Sequence, residues 1–394
     1  MKQNNSKNKK TKKKSIRRRI SKLKKLIRNS DVRCSSSWKV REMNRKKLNL
    51  VKYPKIKNKI KFKENENNVK KVKENNKRVK FKAPVNIDYY RKKNLENMGK
   101  FLAEINDCVG RSCRRIFIDF SLTEYISAAA MLSFLADVDV LVKKSPYGVN
   151  AISFSHPKIP KIESILKQVG FYDLLKKEKR ETQSFDDVTF WKYTSGSCSE
   201  PILAREMMIE IKKELELKAS KKLYRGFIEA MSNSVEHAYL DDDEHSESDQ
   251  TAKWWTFAGI KDNKLIVVIC DKGVGIPATL PRTQGVLSLR QLFNKLGFSS
   301  HKVKDSTYIK AAASLTNTRT NKKYRGKGLT DIKSVIDTNG NGLLSIFSNR
   351  GRYIYKGQTG SIKEVFYDYK SSVCGTIIEW SIPCDAEVRN NESN

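Results

Sequence analysis

Apolar residues recur along the chain with two different periods, and the change of period divides it. In residues 94–108, Leu95, Met98, Phe101, Leu102 and Ile105 fall three and four apart, which predicts a helix. Residues 115–120 read as a short buried strand, 127–142 as a strongly apolar helix and 149–155 as a second strand. A further helix over 159–169 stops at Gly170, a C-cap residue type. Strands alternating with helices predict a mainly parallel sheet here. Beyond it, 188–193 predicts a strand and 201–217 a helix. Phe227, Ile228, Met231, Val235 and Ala238 mark the next helix. Residues 252–259 and 264–270 read as adjacent antiparallel strands, and 342–347 with 352–355 as a hairpin around Asn349-Arg350-Gly351. Helical stretches are expected near 288–296, 306–315 and 329–336, and a closing strand over 375–382.

Before residue 84 the periodicity fails. Residues 1–83 hold 33 Lys or Arg against 5 Asp or Glu, a net +28 out of the chain's formal +36. A Lys- and Asn-rich stretch with few large apolar groups cannot bury enough surface to offset the entropy of ordering. It is therefore expected to be a disordered basic arm, with one basic helix near 16–27. Such an arm binds nucleic-acid backbones non-specifically, by counterion release. Aromatic residues are sparse (Trp38, Tyr53, Phe62, Phe81), so base stacking is not indicated. A solvated tail fits the same composition. An anionic membrane surface is a third reading, although a coherent apolar face is lacking.

No apolar run approaches the roughly 20 residues that span a bilayer, and no apolar segment follows the basic first residues as a signal peptide requires. Seven cysteines, an odd number without framework spacing, point to a reducing compartment. The expectation is a cytoplasmic protein.

The candidate chemistry lies in residues 227–376. Glu229 and Asn233 are four apart in a helical pattern, so a carboxylate and a carboxamide project side by side. An amide oxygen suits magnesium, and a neighbouring carboxylate can deprotonate a water. Asp271 ends an apolar strand and is followed by Gly273, Gly275 and Pro277, a turn where backbone can approach a ligand. Gly326, Lys327 and Gly328 precede the helical pattern that Leu329 opens, and N–H groups at such a helix start face an anion. Taken alone, each piece also fits ordinary structure: a solvated helix face, an Asp-Gly-type turn, a flexible loop.

Together, in this order and followed by Gly375-Thr376 opening a strand, the pieces resemble the GHKL ATPase superfamily. That group holds gyrase, the mismatch-repair ATPases, histidine kinases and anti-sigma-factor serine kinases. The wording Glu229-Ala-Met-Ser-Asn233-Ser-Val-Glu-His237-Ala-Tyr239 is most similar to the last. The resemblance implies Mg2+ and ATP as cofactors. It implies that Asn233 ligates the metal, that Glu229 activates the attacking water or hydroxyl, and that Asp271 binds the adenine amine. It further implies that Gly273 and Gly275 admit the adenine, that Gly326, Lys327, Gly328 and Leu329 face the phosphates, and that Thr376 lies near the base. Residues 276–325 would form a lid over the phosphates, with Arg319, Lys322 and Lys323 as candidate phosphate contacts. One position departs from the histidine-kinase pattern: Glu236 stands where a lysine is frequent. His237 has no partner at ligand spacing and reads as structural.

A second resemblance lies upstream. Ile116-Phe-Ile-Asp119-Phe-Ser-Leu-Thr-Glu-Tyr125-Ile-Ser127-Ala-Ala-Ala130 is similar to the STAS-type domain of anti-sigma-factor antagonists. The phosphoacceptor serine of that family stands where this chain has Ala128 and Ala129, with Ser127 one step early. An unrelated α/β packing unit fits the same pattern.

The expected architecture is thus α/β in class, an α+β sandwich of the Bergerat type with a mixed sheet and a helical layer. Its divisions are a basic arm over 1–83, a STAS-like unit over 84–183, the ATPase-like unit over 184–386 and a polar tail over 387–394. Three functions follow: a slow ATPase or ATP-driven switch, a serine/threonine kinase acting on a STAS-like or sigma-factor-like partner, or a non-hydrolysing ATP-sensing adaptor for nucleic acid or protein. Pairing of two copies through the ATPase-like unit is also expected by analogy.

Overall fold

The computed structural model describes residues 77–178, 180–185, 188–191, 193–239, 253–298, 303–315 and 328–384. The expected helix near 16–27, the acidic run within 241–250, and Arg319, Lys322, Lys323, Gly326 and Lys327 lie outside the described residues.

The first half begins with β1 (Val79–Lys82), β2 (Asn86–Ile87) and α1 (Lys92–Asn106), followed by a π-helical turn over Asp107–Arg111. Next come β3 (Ile116–Asp119), β4 (Tyr125–Ile126), α2 (Ala128–Lys144), β5 (Ile152–Ser155), α3 (Pro160–Gln168) and the single turn α4 (Phe171–Leu174). Gly170 takes the left-handed conformation between α3 and α4, as a C-cap residue does. β1, β3 and β5 form a three-stranded parallel sheet, and β2 pairs with β4, also in parallel. β1 lies inside the stretch read from composition as arm. Its Val-Lys-Phe-Lys sequence alternates, so Val79 and Phe81 pack on the core while the lysines face outward.

The second half runs through β6 (Val188–Phe190), β7 (Thr194–Gly196), α5 (Arg205–Glu214), α6 (Leu217–Glu236), β8 (Trp254–Lys261), β9 (Lys264–Asp271) and α7 (Ile276–Gln284). It continues through α8 (Val286–Lys295), α9 (Asp305–Ser314), α10 (Gly328–Asn339), β10 (Gly342–Ser348), β11 (Gly351–Gln358), β12 (Ser361–Asp368) and β13 (Thr376–Pro383). One large sheet carries the order β12-β11-β10-β13-β9-β8-β6, with β7 also on β8. Every pairing in it is antiparallel. The mixed sheet implied for this region is therefore corrected: among the described residues, parallel pairing is confined to the first half. The cause is local, since β8–β9, β10–β11 and β11–β12 are joined by tight turns whose residues Asn263, Asn349 and Thr359 take positive φ.

Side chains alternate across a sheet, so each strand here feeds two cores. Val267 and Ile269 of β9, Ile378 and Trp380 of β13, and Leu344 and Ile346 of β10 meet α6 and α10. Val268 and Cys270, Ile377, and Phe347 point the other way, into one continuous core with α1, α2 and the small parallel sheet. Both faces are covered, which is why β9 reads as an unbroken apolar run. α2 is buried on nearly all sides, the expected fate of a helix apolar all round.

α6 and α10 pack at close range because Gly226 lacks a side chain; a Cβ there would sit 3.0 Å from the Asp331 carbonyl oxygen and 3.1 Å from the Ile332 Cα. The Trp380 indole N–H adds a hydrogen bond of 2.8 Å to the Ile332 carbonyl and fixes α10 on the sheet.

Candidate functional site

A cleft of about 660 Å3 opens between the sheet and α6, α7, α9 and α10. Glu229 and Asn233 enter from α6, Asp271 from the end of β9, Gly275 from the following turn, Gly328 and Leu329 from the start of α10, and Thr376 from the start of β13. Four pieces of sequence spread over some 150 positions thus face one space. Ile269 and Ile378 form an apolar floor, and Ile276, Leu280, Ala312 and Leu315 an apolar wall on the side of α7 and α9.

Gly328 lies against the helical pair. A Cβ at this position would be 3.5 Å from Asn233 Nδ2 and 3.6 Å from Glu229 Oε2, so the bare backbone leaves room above both side chains. Burial holds the Glu229 carboxyl above its ordinary value, with Asp331 and Glu236 adding to the effect and Arg225 opposing it. A carboxyl tuned upward is a better proton acceptor near neutral pH.

Asp271 is 6% exposed. Its Oδ1 accepts the backbone N–H groups of Gly273 at 2.9 Å and Thr376 at 3.2 Å. Burial pushes its carboxyl up to about 6, and the two amide hydrogen bonds and Lys272 limit the rise. Thr376 is placed by register: it pairs directly with Asp271 across β13 and β9, and its hydroxyl shares a 3.1 Å hydrogen bond with Ser348.

The glycines divide by role. Gly275 lines the cleft at φ +80, and a Cβ there would meet Asn349 Nδ2 at 2.6 Å. Gly273 does not line the cleft. A Cβ on it would come within 2.2 Å of the Ala238 carbonyl oxygen, so it admits the chain that leaves α6 rather than a ligand. The Val274 N–H bonds that same carbonyl at 2.8 Å, clamping the glycine turn to the end of the Glu229 helix.

Two residues not singled out from the sequence complete the frame. The Ser348 hydroxyl accepts the Ile276 N–H at 2.8 Å, and the Asn349 amide donates to the Val274 carbonyl at 2.8 Å. Their signal in the sequence was only a hairpin turn, which does not show that the turn packs on the glycine segment. His237 caps α6, its N–H bonding the Asn233 carbonyl at 3.1 Å, and lines the cleft. Tyr239 accepts the Lys272 N–H at 3.0 Å and donates to the Lys253 carbonyl at 2.9 Å.

Among the described residues no group of three or more His, Cys, Asp or Glu gathers as a metal cage. None of the described helices is long and apolar enough to cross a membrane. No family model matches this chain, and no curated protein matches it.

Proposed function

We propose that the cleft binds Mg-ATP in the manner of the GHKL superfamily, and that the protein is a slow ATPase or ATP-driven regulatory switch. The observation that carries this reading is the convergence of Glu229, Asn233, Asp271, Gly275, Gly328 and Thr376 on one cavity wall and floor. In this reading Asp271 accepts the exocyclic amine of adenine, while the apolar floor covers the base. Asn233 would hold a magnesium ion through its amide oxygen, a hard ligand suited to an ion that dehydrates reluctantly. Magnesium bound there would neutralise phosphate charge. Glu229 takes the proton of the attacking water, and the N–H groups at the start of α10 face the phosphates.

A kinase acting on its own upstream unit is less well supported. Ser127 is 2% exposed, and it precedes Ala129, whose N–H bonds Glu379 on the sheet face opposite the cleft. Transfer to a separate STAS-like protein remains compatible with the cleft, and so does an ATP-sensing adaptor.

Incubating the purified protein with γ-labelled ATP and Mg2+ separates these functions. Free labelled phosphate is the expected product. Label on protein would replace the ATPase reading with a kinase, ATP binding with neither product would leave a sensor, and no binding at all would remove the proposal.

A further inference from the structure

The residue after Asp271 points away from the cleft. Successive side chains leave a strand on opposite faces, so the position that sends Asp271 to the ligand side sends Lys272 through the sheet to α2. There its ammonium lies 2.6 Å from Asp137 Oδ2 and 2.7 Å from Ser133 Oγ. Neither partner reaches bulk solvent freely: the Lys272 and Asp137 side chains are 10% and 14% exposed. The other groups facing the ammonium are Tyr89, whose hydroxyl also bonds Ser133 at 3.0 Å, and the Cys270 thiol. Burial alone works against the ammonium, and the Asp137 carboxylate outweighs it, holding Lys272 above its ordinary value.

A buried ion pair whose partner is removed leaves an uncompensated charge in a dry place, and the chain around it relaxes to relieve it. Here the chain around it is Asp271-Lys272-Gly273. Slack is small on the other side of this segment, where Gly273 is wedged against Ala238 and the Gly375 Cβ position lies 2.1 Å from the Asp271 carbonyl oxygen. Displacing Lys272 therefore displaces the Asp271 carboxylate.

We infer that Asp137, on the upstream unit, is a positioning residue for the nucleotide cleft: through the buried Lys272 ammonium it fixes the strand end that aims Asp271 at the base. The inference rests on the proposed nucleotide reading and extends it, because it makes the upstream unit part of the site. A protein whose α2 is pulled off the sheet would then lose nucleotide affinity without any substitution among the residues that line the cleft.

The test uses the full chain and calorimetric titration with adenosine, which carries no phosphate titrating near neutrality. Asp137→Asn is expected to weaken adenosine on the order of tenfold. Lys272→Met combined with Asp137→Leu replaces the pair by apolar groups of similar size, a change that buried pairs tolerate. That double variant is expected to recover affinity to within about threefold. Its affinity should also lose half its value at a higher pH than in the wild type, because the positive charge that favours the Asp271 carboxylate is gone. A role confined to folding would lower thermal stability and leave the adenosine affinity of the folded protein unchanged. Asp137→Asn binding as the wild type does, or a double variant as weak as the single one, overturns the inference. Should Asp137→Asn not fold, Asp137→Glu decides, because it keeps the charge and moves it: weaker adenosine binding at pH 8 supports the inference and wild-type affinity overturns it. Wild-type protein that binds neither adenosine nor Mg-ATP defeats the cleft reading itself, a result distinct from all of these.

Discussion

The two faces of the large sheet treat buried charge in opposite ways. On the face covered by the upstream unit, three of the buried charges have dedicated side-chain partners. Lys272 has Asp137; Asp139 accepts the Trp255 indole N–H at 2.9 Å and pairs with Lys143 at 2.9 Å. Glu379 accepts the Tyr90 hydroxyl at 2.6 Å, while Arg352 stacks over Tyr90 and Phe347. On the cleft face Asp271 is held by the Gly273 and Thr376 amides and the Thr376 hydroxyl, and Glu229 is raised by burial first and then by Asp331 and Glu236, with Arg225 opposing. A polar group in a protein interior is expensive unless satisfied. The sealed face meets that requirement internally at Lys272, Asp139 and Glu379. The cleft-face carboxyls are instead held above their ordinary values by burial, and that asymmetry separates the two faces.

Four substitutions or conditions probe this contrast, from the largest effect down. Glu229→Gln is expected to lower phosphate release by about 10^2 to 10^4-fold, the usual worth of a general base, with ATP affinity little changed. Phosphate release at the wild-type rate would remove Glu229 from the mechanism. Asp271→Ala is expected to weaken adenosine by roughly 10 to 100-fold, the worth of a hydrogen bond to a charged group; titration calorimetry reads it directly. Asn233→Ala should leave adenosine binding intact and remove the magnesium dependence of ATP binding, so equal Mg-ATP affinity in both proteins would sink the metal assignment. On the sealed face, Leu132→Ala is expected to cost about 2–5 kcal/mol in denaturant unfolding. Leu132 is wholly buried in the shared core and its carbonyl faces the Cys270 thiol. A matched fall in both stability and affinity would tie the two faces even more tightly.

The pH response has a defined sign. Asp271 has a folded value of about 6 against an ordinary 3.8. Between those values the native state binds more protons than the unfolded one, so this carboxyl's contribution to stability rises as pH falls from 6 towards 4. Adenosine needs the ionised acceptor, so its affinity should be flat above pH 6 and fall about tenfold per unit below it. Calorimetry from pH 7.5 to 5 checks this; a flat profile would mean that the carboxylate does not touch the base.

Local pattern carried much of this from the sequence. The helical spacing of Phe227 and Met231, the apolar run ending at Asp271, and the amphipathic helix after Gly328 appear as α6, β9 and α10 because each is buried along a regular stripe or face. β12 was not legible: it is an outer strand, its residues mostly exposed, so no alternation marks it. Nor was α7, whose Pro277 and Pro281 argue against a helix; Pro277 is tolerated in the first turn, where no N–H bond is lost. The covering of the second face was invisible for a different reason. Lys272 looks like a solvated turn residue, and the carboxylate that buries it lies 135 positions away. Glu379 stands in an apolar strand with a partner 289 positions away. Spacing rules reach only a few residues, so pairs of this kind emerge only from the tertiary fold.

Position 375 has a consequence for inheritance. Its φ of +125 belongs to glycine, and any side chain would drive into the Asp271 carbonyl at 2.1 Å. A saturation library sorted for nucleotide capture should return the wild-type codon there and no other. Adjacent Cys374, at φ +55 and with its side chain partly exposed, should accept asparagine, aspartate or glycine. Two neighbouring codons would thus carry opposite tolerances, fixed by a single carbonyl oxygen.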